Sequence, residues 1–327
     1  MDLLHPGASG TPSTPLNVNT VPIRWRIILA LLARLPQGLL SRLTGHLAAV
    51  PLPRFLRPPV LGLFARTVGM DVGEAEKPLS AYPSVSHLFT RRLRPGVRRW
   101  PDDPELPGSP VDGTVGAVGR IRSGQVIQAK GIPYRVDDLL GGGEEGGTGS
   151  SARLEGGFFV TLYLSPRDYH RIHAPVTGTV VWARTIPGAL FPVNAPAVAG
   201  IPRLFPRNER MVAWIEGQSP GGADKGGIPT ALVAVGAFNV GGISALYDPA
   251  WHEEAGVGRS LTNRRGRRVL ETRRYDPPRT VERGDEFMAF HLGSTVVLLF
   301  GPRGGGEGLH PELSPGAPIR LGDPLFR

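Results

Sequence analysis

Apolar positions follow two regimes along this chain. Between Ile23 and Leu47 they recur at roughly helical spacing: Ile23, Trp25, Ile27, Ile28, Leu29, Leu31, Leu32, Leu35, Leu39, Leu40, Leu43 and Leu47 alternate with arginines. Pro36, Pro51, Pro53, Pro58 and Pro59 divide this region into short helices, because proline removes a donor and crowds the preceding turn. The uninterrupted apolar run from Ile27 to Ala33 is far shorter than the ~20 residues that cross a bilayer. No signal-peptide cleavage pattern follows it. The segment 21–75 is therefore predicted to lie on a membrane surface rather than pass through it. Near the other end, Phe287 to Phe300 is apolar except around Gly293-Ser294-Thr295, which predicts a buried strand entered through a serine.

The stretch between these regions favours short strands joined by turns, as 45 glycines and 34 prolines require. Pro110-Val111-Asp112-Gly113-Thr114-Val115 and Pro175-Val176-Thr177-Gly178-Thr179-Val180 share five residues at equal offsets. Tight turns between strands explain the pattern, and so does chance recurrence of turn residues. The predicted class is mainly β (α+β), with helices at the N-terminus. Residues 1–20 read as a disordered tail, 76–293 as the body, and Gly141 to Ser151 and Gly217 to Gly227 as flexible surface loops. The tail from Gly301 to Arg327 is predicted to be largely irregular.

Charge sharpens the N-terminal reading. The net charge is +9, and residues 1–70 hold seven arginines, no lysine and the single acid Asp2. Basic and apolar residues interleaved in this way suit an anionic lipid surface. Arg264, Arg265, Arg267, Arg268, Arg273 and Arg274 form a second cluster that solubility alone could explain. Cysteine is absent, which excludes disulfide and thiolate chemistry.

Three segments hold the candidate chemistry. Asp112-Gly113 offers a carboxylate, Ser165 to Pro175 offers His170 and His173, and Gly293-Ser294 offers a hydroxyl. Carboxylate, imidazole and hydroxyl are the parts of a nucleophile with its base and orienter. Taken singly each has a plainer reading. Asp-Gly is a turn, His-x-x-His is half a metal site that no further ligands complete, and Gly-Ser opens a strand. Asp168 either orients the histidines or caps a local turn.

As a set in this order, the segments resemble the phosphatidylserine decarboxylases, which are self-cleaving and pyruvoyl-dependent. Gln128-Ala129-Lys130-Gly131-Ile132-Pro133-Tyr134, Leu204 to Arg210 and Val235 to Ile243 match in type and order, extending the similarity from about Trp25 to Phe300. The repeated Pro-Val-x-Gly-Thr-Val is similar to strands of barrel-sandwich folds, so a barrel-sandwich-like catalytic body is expected.

The resemblance implies that the Ser294 hydroxyl attacks the Gly293 carbonyl, with His173 as its base and Asp112 behind His173. Elimination, tautomerisation and hydrolysis would then leave a pyruvoyl group at position 294. That group would capture the amine of phosphatidylserine as a Schiff base and release carbon dioxide, with His170 as the acid that reprotonates the product carbon. Glycine at 293 is expected to give the serine oxygen a clear approach and an unusual backbone geometry. If the segment from His170 to His173 is a helical turn, both imidazoles share a face.

The resemblance further implies a β chain of 1–293 and an α chain of 294–327 held together without a covalent bond, and it is compatible with a homodimer of such pairs. It places the protein at the cytoplasmic face of the cell membrane, with phosphatidylserine as its lipid partner. No nucleic-acid partner and no metal are expected. Ala289 departs from the family pattern, which has glycine there. Arg167, Arg171 and Asn194 are candidates for holding the headgroup phosphate. Two other readings of the residues stand beside this one. One is a serine hydrolase using Asp112, His173 and Ser294, which would leave the chain uncut. The other is a non-catalytic lipid-binding module of barrel-sandwich type.

Overall fold

A computed structural model describes residues 37–128, 132–142, 148–218, 227–237, 242–251, 270–291, 293–302 and 308–327. The predicted tail over 1–20, the apolar run Ile27 to Ala33, Lys130-Gly131 and the first four arginines of the second basic cluster lie outside the described residues.

The chain is mainly β, as its pattern predicts. Its body is an eight-stranded antiparallel sheet built from β1 (Gly113–Arg120), β4 (Phe158–Leu164), β6 (Gly178–Ile186), β7 (Arg210–Gly217), β8 (Pro229–Val235), β10 (Glu271–Val281), β12 (Ser294–Phe300) and β13 (Pro318–Ile319). These lie side by side in the order β10-β6-β7-β8-β12-β4-β1-β13. Because side chains alternate across a strand, β12 sends Val296, Leu298 and Phe300 to one face and Val297 and Leu299 to the other. Both faces are covered, so β12 is apolar without alternation.

The first face packs against a small sheet of β5 (Arg171–His173), β11 (Glu286–Phe290) and β9 (Ile243–Ala245), with β11 in the middle. The opposite face packs against the hairpin of β2 (Gln125–Gln128) and β3 (Ile132–Arg135) and against short helices that include Val136–Leu140 and Leu204–Arg207.

The repeated motif has the same structural role twice. Gly113 opens β1 and Gly178 opens β6, each strand lying one in from an opposite edge of the large sheet. A Cβ on Gly113 would stand 2.3 Å from Tyr163 O, and one on Gly178 would stand 2.2 Å from Glu216 O. Only glycine admits so close a neighbouring backbone.

Three expectations are corrected. The first glycine-rich stretch contains a helix, Thr148–Ala152. The C-terminal tail is tied down, since β13 pairs with β1 and both Leu325 and Phe326 are fully buried in the core. Lastly, His170 to His173 is not a helical turn, because Arg171–His173 is the strand β5, paired with β11. Register with β11 outweighs the local i,i+3 geometry there.

At the N-terminus, α1 (Gln37–Ala49), α2 (Arg57–Val68) and α3 (Val85–Phe89) follow the proline breaks. Pro58 and Pro59 occupy the first turn of α2, where a missing donor costs little, and Gly69 ends it in the left-handed region with φ 76°. Ser84 caps α3 by accepting from the His87 N–H. Leu61, Ala65, Leu88 and Phe89 form a separate small core. By contrast, Leu39, Leu43, Leu47, Phe55 and Leu63 are exposed, Phe55 by 76%.

Candidate active site

Ser294 is the first residue of β12, the strand between β4 and β8, and it faces Leu164 of β4. Its side chain is fully buried, and its Oγ has no hydrogen-bond partner among the described residues. An unsatisfied buried hydroxyl is uncommon and costs free energy, which draws attention to its surroundings.

The nearest chemistry is His170. A Cβ placed on Gly293 would lie 3.7 Å from His170 Nε2 and 3.5 Å from Leu164 O, so the imidazole stands against the Gly293-Ser294 bond. The backbone explains why: the Phe290 N–H donates to His170 O, holding the histidine beside the end of β11. His170 Nδ1 lies 2.9 Å from the Asp168 carbonyl oxygen. A carbonyl only accepts, so Nδ1 carries the proton and Nε2 presents a lone pair. That Nε2 is buried and unpartnered. Burial pushes the His170 pKa down to about 3, with Arg91 adding in the same direction, so the ring is a neutral base. The Phe89 ring, 4.0 Å from the imidazole by centroids, supplies part of that apolar wall.

Asp168 performs both tasks weighed for it, with different atoms. Its carboxylate caps the turn by accepting from the Ser165 N–H and hydroxyl, while its backbone carbonyl orients His170.

His173 has both nitrogens engaged. Nδ1 donates to Gly284 O at 2.6 Å, and Nε2 accepts from the Tyr169 hydroxyl at 3.0 Å. Burial lowers its proton affinity too. Asp112 is held by two hydrogen bonds from Arg98, at 2.9 and 2.6 Å, and accepts from the Leu321 N–H at 2.8 Å. Arg98 also binds Glu74, and these bonds, that to Asp112 foremost, keep it charged. Asp112 precedes β1, His173 lies in β5 of the small sheet and Ser294 opens β12, which β4 separates from β1, and each bonds elsewhere or not at all. The imidazole that stands against Gly293 is His170, although its Nε2 and Ser294 Oγ are not hydrogen-bonded to each other.

Gly293 is not in the left-handed region, and the space at its Cα would admit a methyl. The expected unusual backbone geometry is therefore absent from the uncut chain. What glycine preserves is open access, because a methyl would fill the gap between His170 Nε2 and the bond.

Of the candidate phosphate holders, Asn194 caps the helix Ala195–Gly200 and Arg171 binds Glu286 and Thr90 O. The Arg167 side chain is exposed and only 3.7 Å at closest from Asp168. Ala289 sits buried in β11, paired with Arg171 and Ser244.

Sequence reasoning missed Arg98, Tyr169, Arg91 and His291. His291, two residues before the bond, lies 3.2 Å from Ser244 Oγ, and burial takes its pKa to about 4. Only proximity to Gly293 in sequence hinted at it. The arginines read as more surface charge in a basic chain, and nothing but burial distinguishes them.

Comparison with known proteins identifies the family. Residues 85–327 match the family model described as phosphatidylserine decarboxylase, and the chain belongs to that family. A phosphatidylserine decarboxylase proenzyme of Anaeromyxobacter sp. (strain K) is 40% identical over 300 residues, covering 92% of this chain and 98% of its own length. Proenzymes of the same description from Halorhodospira halophila and Brevibacillus brevis are 41% and 39% identical, over 90% and 84% of this chain and 91% and 89% of their own lengths.

Proposed function

We propose that this chain is the precursor of a phosphatidylserine decarboxylase that cuts itself at Gly293-Ser294. The observation that carries the reading is the buried, unpartnered Ser294 hydroxyl next to a neutral, unpartnered imidazole at a glycyl-seryl bond. The family places the chain among the carboxy-lyases, and its relatives are described as proenzymes. A serine hydrolase or a non-catalytic lipid-binding module fits neither.

In the uncut chain, Ser294 Oγ attacks the Gly293 carbonyl as an imidazole takes its proton, and the peptide bond becomes an ester. Loss of the Gly293 carboxylate from that ester, then hydrolysis with loss of ammonia, leaves the α chain 294–327 beginning with a pyruvoyl group. The fit is good, since the cofactor arises in place from a fully buried residue whose neighbour Gly293 faces His170, Leu164 and Pro166. When formed, the pyruvoyl group supplies a carbonyl that binds the substrate amine and accepts electrons as the carboxylate leaves. His170 Nε2, a lone pair in the uncut chain, takes up a proton in the cut enzyme, where the pyruvoyl group has replaced Ser294 and the bound substrate has changed its surroundings, and passes it to the product carbon. Burial around His170 excludes water from the same place.

Following the resemblance, His173 with Asp112 serves the self-cleavage step, which requires His173 to exchange its bonds to Tyr169 and Gly284. The position of His170 Nε2 favours a second reading, in which His170 also takes the serine proton. After cutting, β12 remains between β4 and β8, paired with both along its length, and Phe326 remains in the core. This supports a β chain of 1–293 and an α chain that stay associated without a covalent link.

Membrane association rests on the exposed Leu39, Leu43 and Leu47, one turn apart along α1, and on Phe55 and Leu63 with Arg54, Arg57 and Arg66 nearby. Among the described residues no helix is long and apolar enough to cross a bilayer. The cytoplasmic face is the side proposed.

Intact mass under denaturing conditions tests the reading. Two fragments are expected, the smaller beginning with a pyruvoyl group at 294. A full-length chain that decarboxylates phosphatidylserine would overturn it.

A further inference from the structure

Among the described residues, buried arginines spend their donors internally, with one departure. Arg184 binds Thr272 Oγ1 and the carbonyls of Leu140 and Gly142, and Arg210 binds those of Leu139, Asp138, Asn208 and Pro206. Arg91 is only 3% exposed, yet its Nε and Nη1 have no partner, and Nη2 reaches Arg167 O at a long 3.4 Å. Asp112 and Glu74 act on it through space, but both are already bonded to Arg98. An unpaired buried guanidinium costs several kcal/mol, a cost that a ligand's counter-charge would offset.

Its location connects it to the site. Arg91 follows Phe89, whose ring packs on His170, and Thr90, whose carbonyl accepts from Arg171. Its backbone N–H donates to Leu88 O, so the end of α3 fixes where the side chain starts.

We propose that Arg91 is the anchor for the phosphodiester of the serine phospholipid headgroup. This deepens the decarboxylase reading and rests on it. The headgroup has three charged groups. The amine is consumed in bonding to the enzyme. The carboxylate must leave as neutral carbon dioxide, and a guanidinium paired with it would stabilise the ground state above the transition state. The phosphodiester keeps its charge throughout, so pairing with it strengthens binding without opposing the reaction. A fork of weakly hydrated donors suits a phosphate in a dry pocket.

The test uses the mature enzyme with Arg91→Met and Arg91→Lys, short-chain phosphatidylserine as substrate, and glycerophosphoserine or L-serine as competitor. Arg91→Met is expected to be cut like the wild type, with an unchanged or raised Tm because an unpaired charge has gone. Its KM should rise by about 10–100-fold and its kcat should stay within about threefold, the signature of lost uniform binding. Competition by glycerophosphoserine should weaken by the same factor while that by L-serine holds, and Arg91→Lys should recover part of the loss. An unchanged KM would sink the proposal. Equal weakening of L-serine would assign Arg91 to the carboxylate, an uncut Arg91→Met chain to processing, and a marked fall in Tm to the fold; each overturns it. A wild type without decarboxylase activity would instead remove the reading on which the proposal stands.

Discussion

The two sides of the site differ in how well their polar groups are satisfied. On the side of Asp112 and His173, the carboxylate has three donors and the imidazole has two partners. On the side of Ser294, the hydroxyl, His170 Nε2 and two nitrogens of Arg91 are buried without any. Satisfied groups hold a structure in place, whereas unsatisfied buried ones store free energy that a reaction or a ligand can release. The unbonded polar groups lie on the Ser294 side, whereas His173 must give up its bonds to Tyr169 and Gly284 before it can act as the base proposed for it.

The largest expected effect comes from removing the unsatisfied hydroxyl. Ser294→Ala should remain full length by mass and show no decarboxylation, and a cut product would break the comparison at its centre. His170→Ala should lose about 10²–10⁴-fold in turnover, the usual share of a general acid or base. If it is also uncut, His170 serves both steps; if it is cut and fully active, the open side of the site is not where the chemistry occurs. His173→Ala, on the satisfied side, should remain uncut if the base role follows the resemblance. Cutting at the wild-type rate would reduce His173 to a brace.

Breaking the satisfied side should register in stability before chemistry. Arg98→Met leaves Asp112 and Glu74 without their cation; Asp112 is buried, and losing the charged partner of a buried group costs about 1–3 kcal/mol. Thermal unfolding of the Ser294→Ala precursor would measure it, and a Tm equal to that of the parent would show the network to be ornamental. Acidification should act more gently. His170 and His291 have folded pKa values of about 3 and 4, depressed by burial from about 6.5. Each contributes stability that is full above about pH 6.5 and is lost as pH falls toward those values, since the unfolded state takes up the proton first. The Tm of the precursor should therefore decline below about pH 6.5, and His170→Gln should flatten that decline. The smallest change is Gly293→Ala: folding should be unaffected, as a methyl fits, while cutting slows because that methyl occupies the open space beside His170 Nε2.

Much of this was legible in the chain. The mainly β class follows from turn residues and the apolar run to Phe300, and the short N-terminal helices follow from helical spacing broken by prolines. Family resemblance alone groups Asp112, His170, His173 and Ser294, although they are far apart in the chain. Legibility failed where long-range pairing overrode local pattern. Arg171–His173 became a strand because β11 lies alongside it, and the tail gained β13 because β1 offered an edge.

Local geometry, carried by side-chain periodicity and by the φ freedom of glycine and the fixed φ of proline, is what the sequence by itself determined. It also determined which reactive groups exist, because Gly293-Ser294 is a covalent fact. Only the tertiary structure decided their state. Whether an arginine is surface charge, like Arg167, a paired strut, like Arg98, or an unpaired cation, like Arg91, depends on which distant segments exclude water from it. Desolvation is a property of the packed neighbourhood, and no residue encodes it alone.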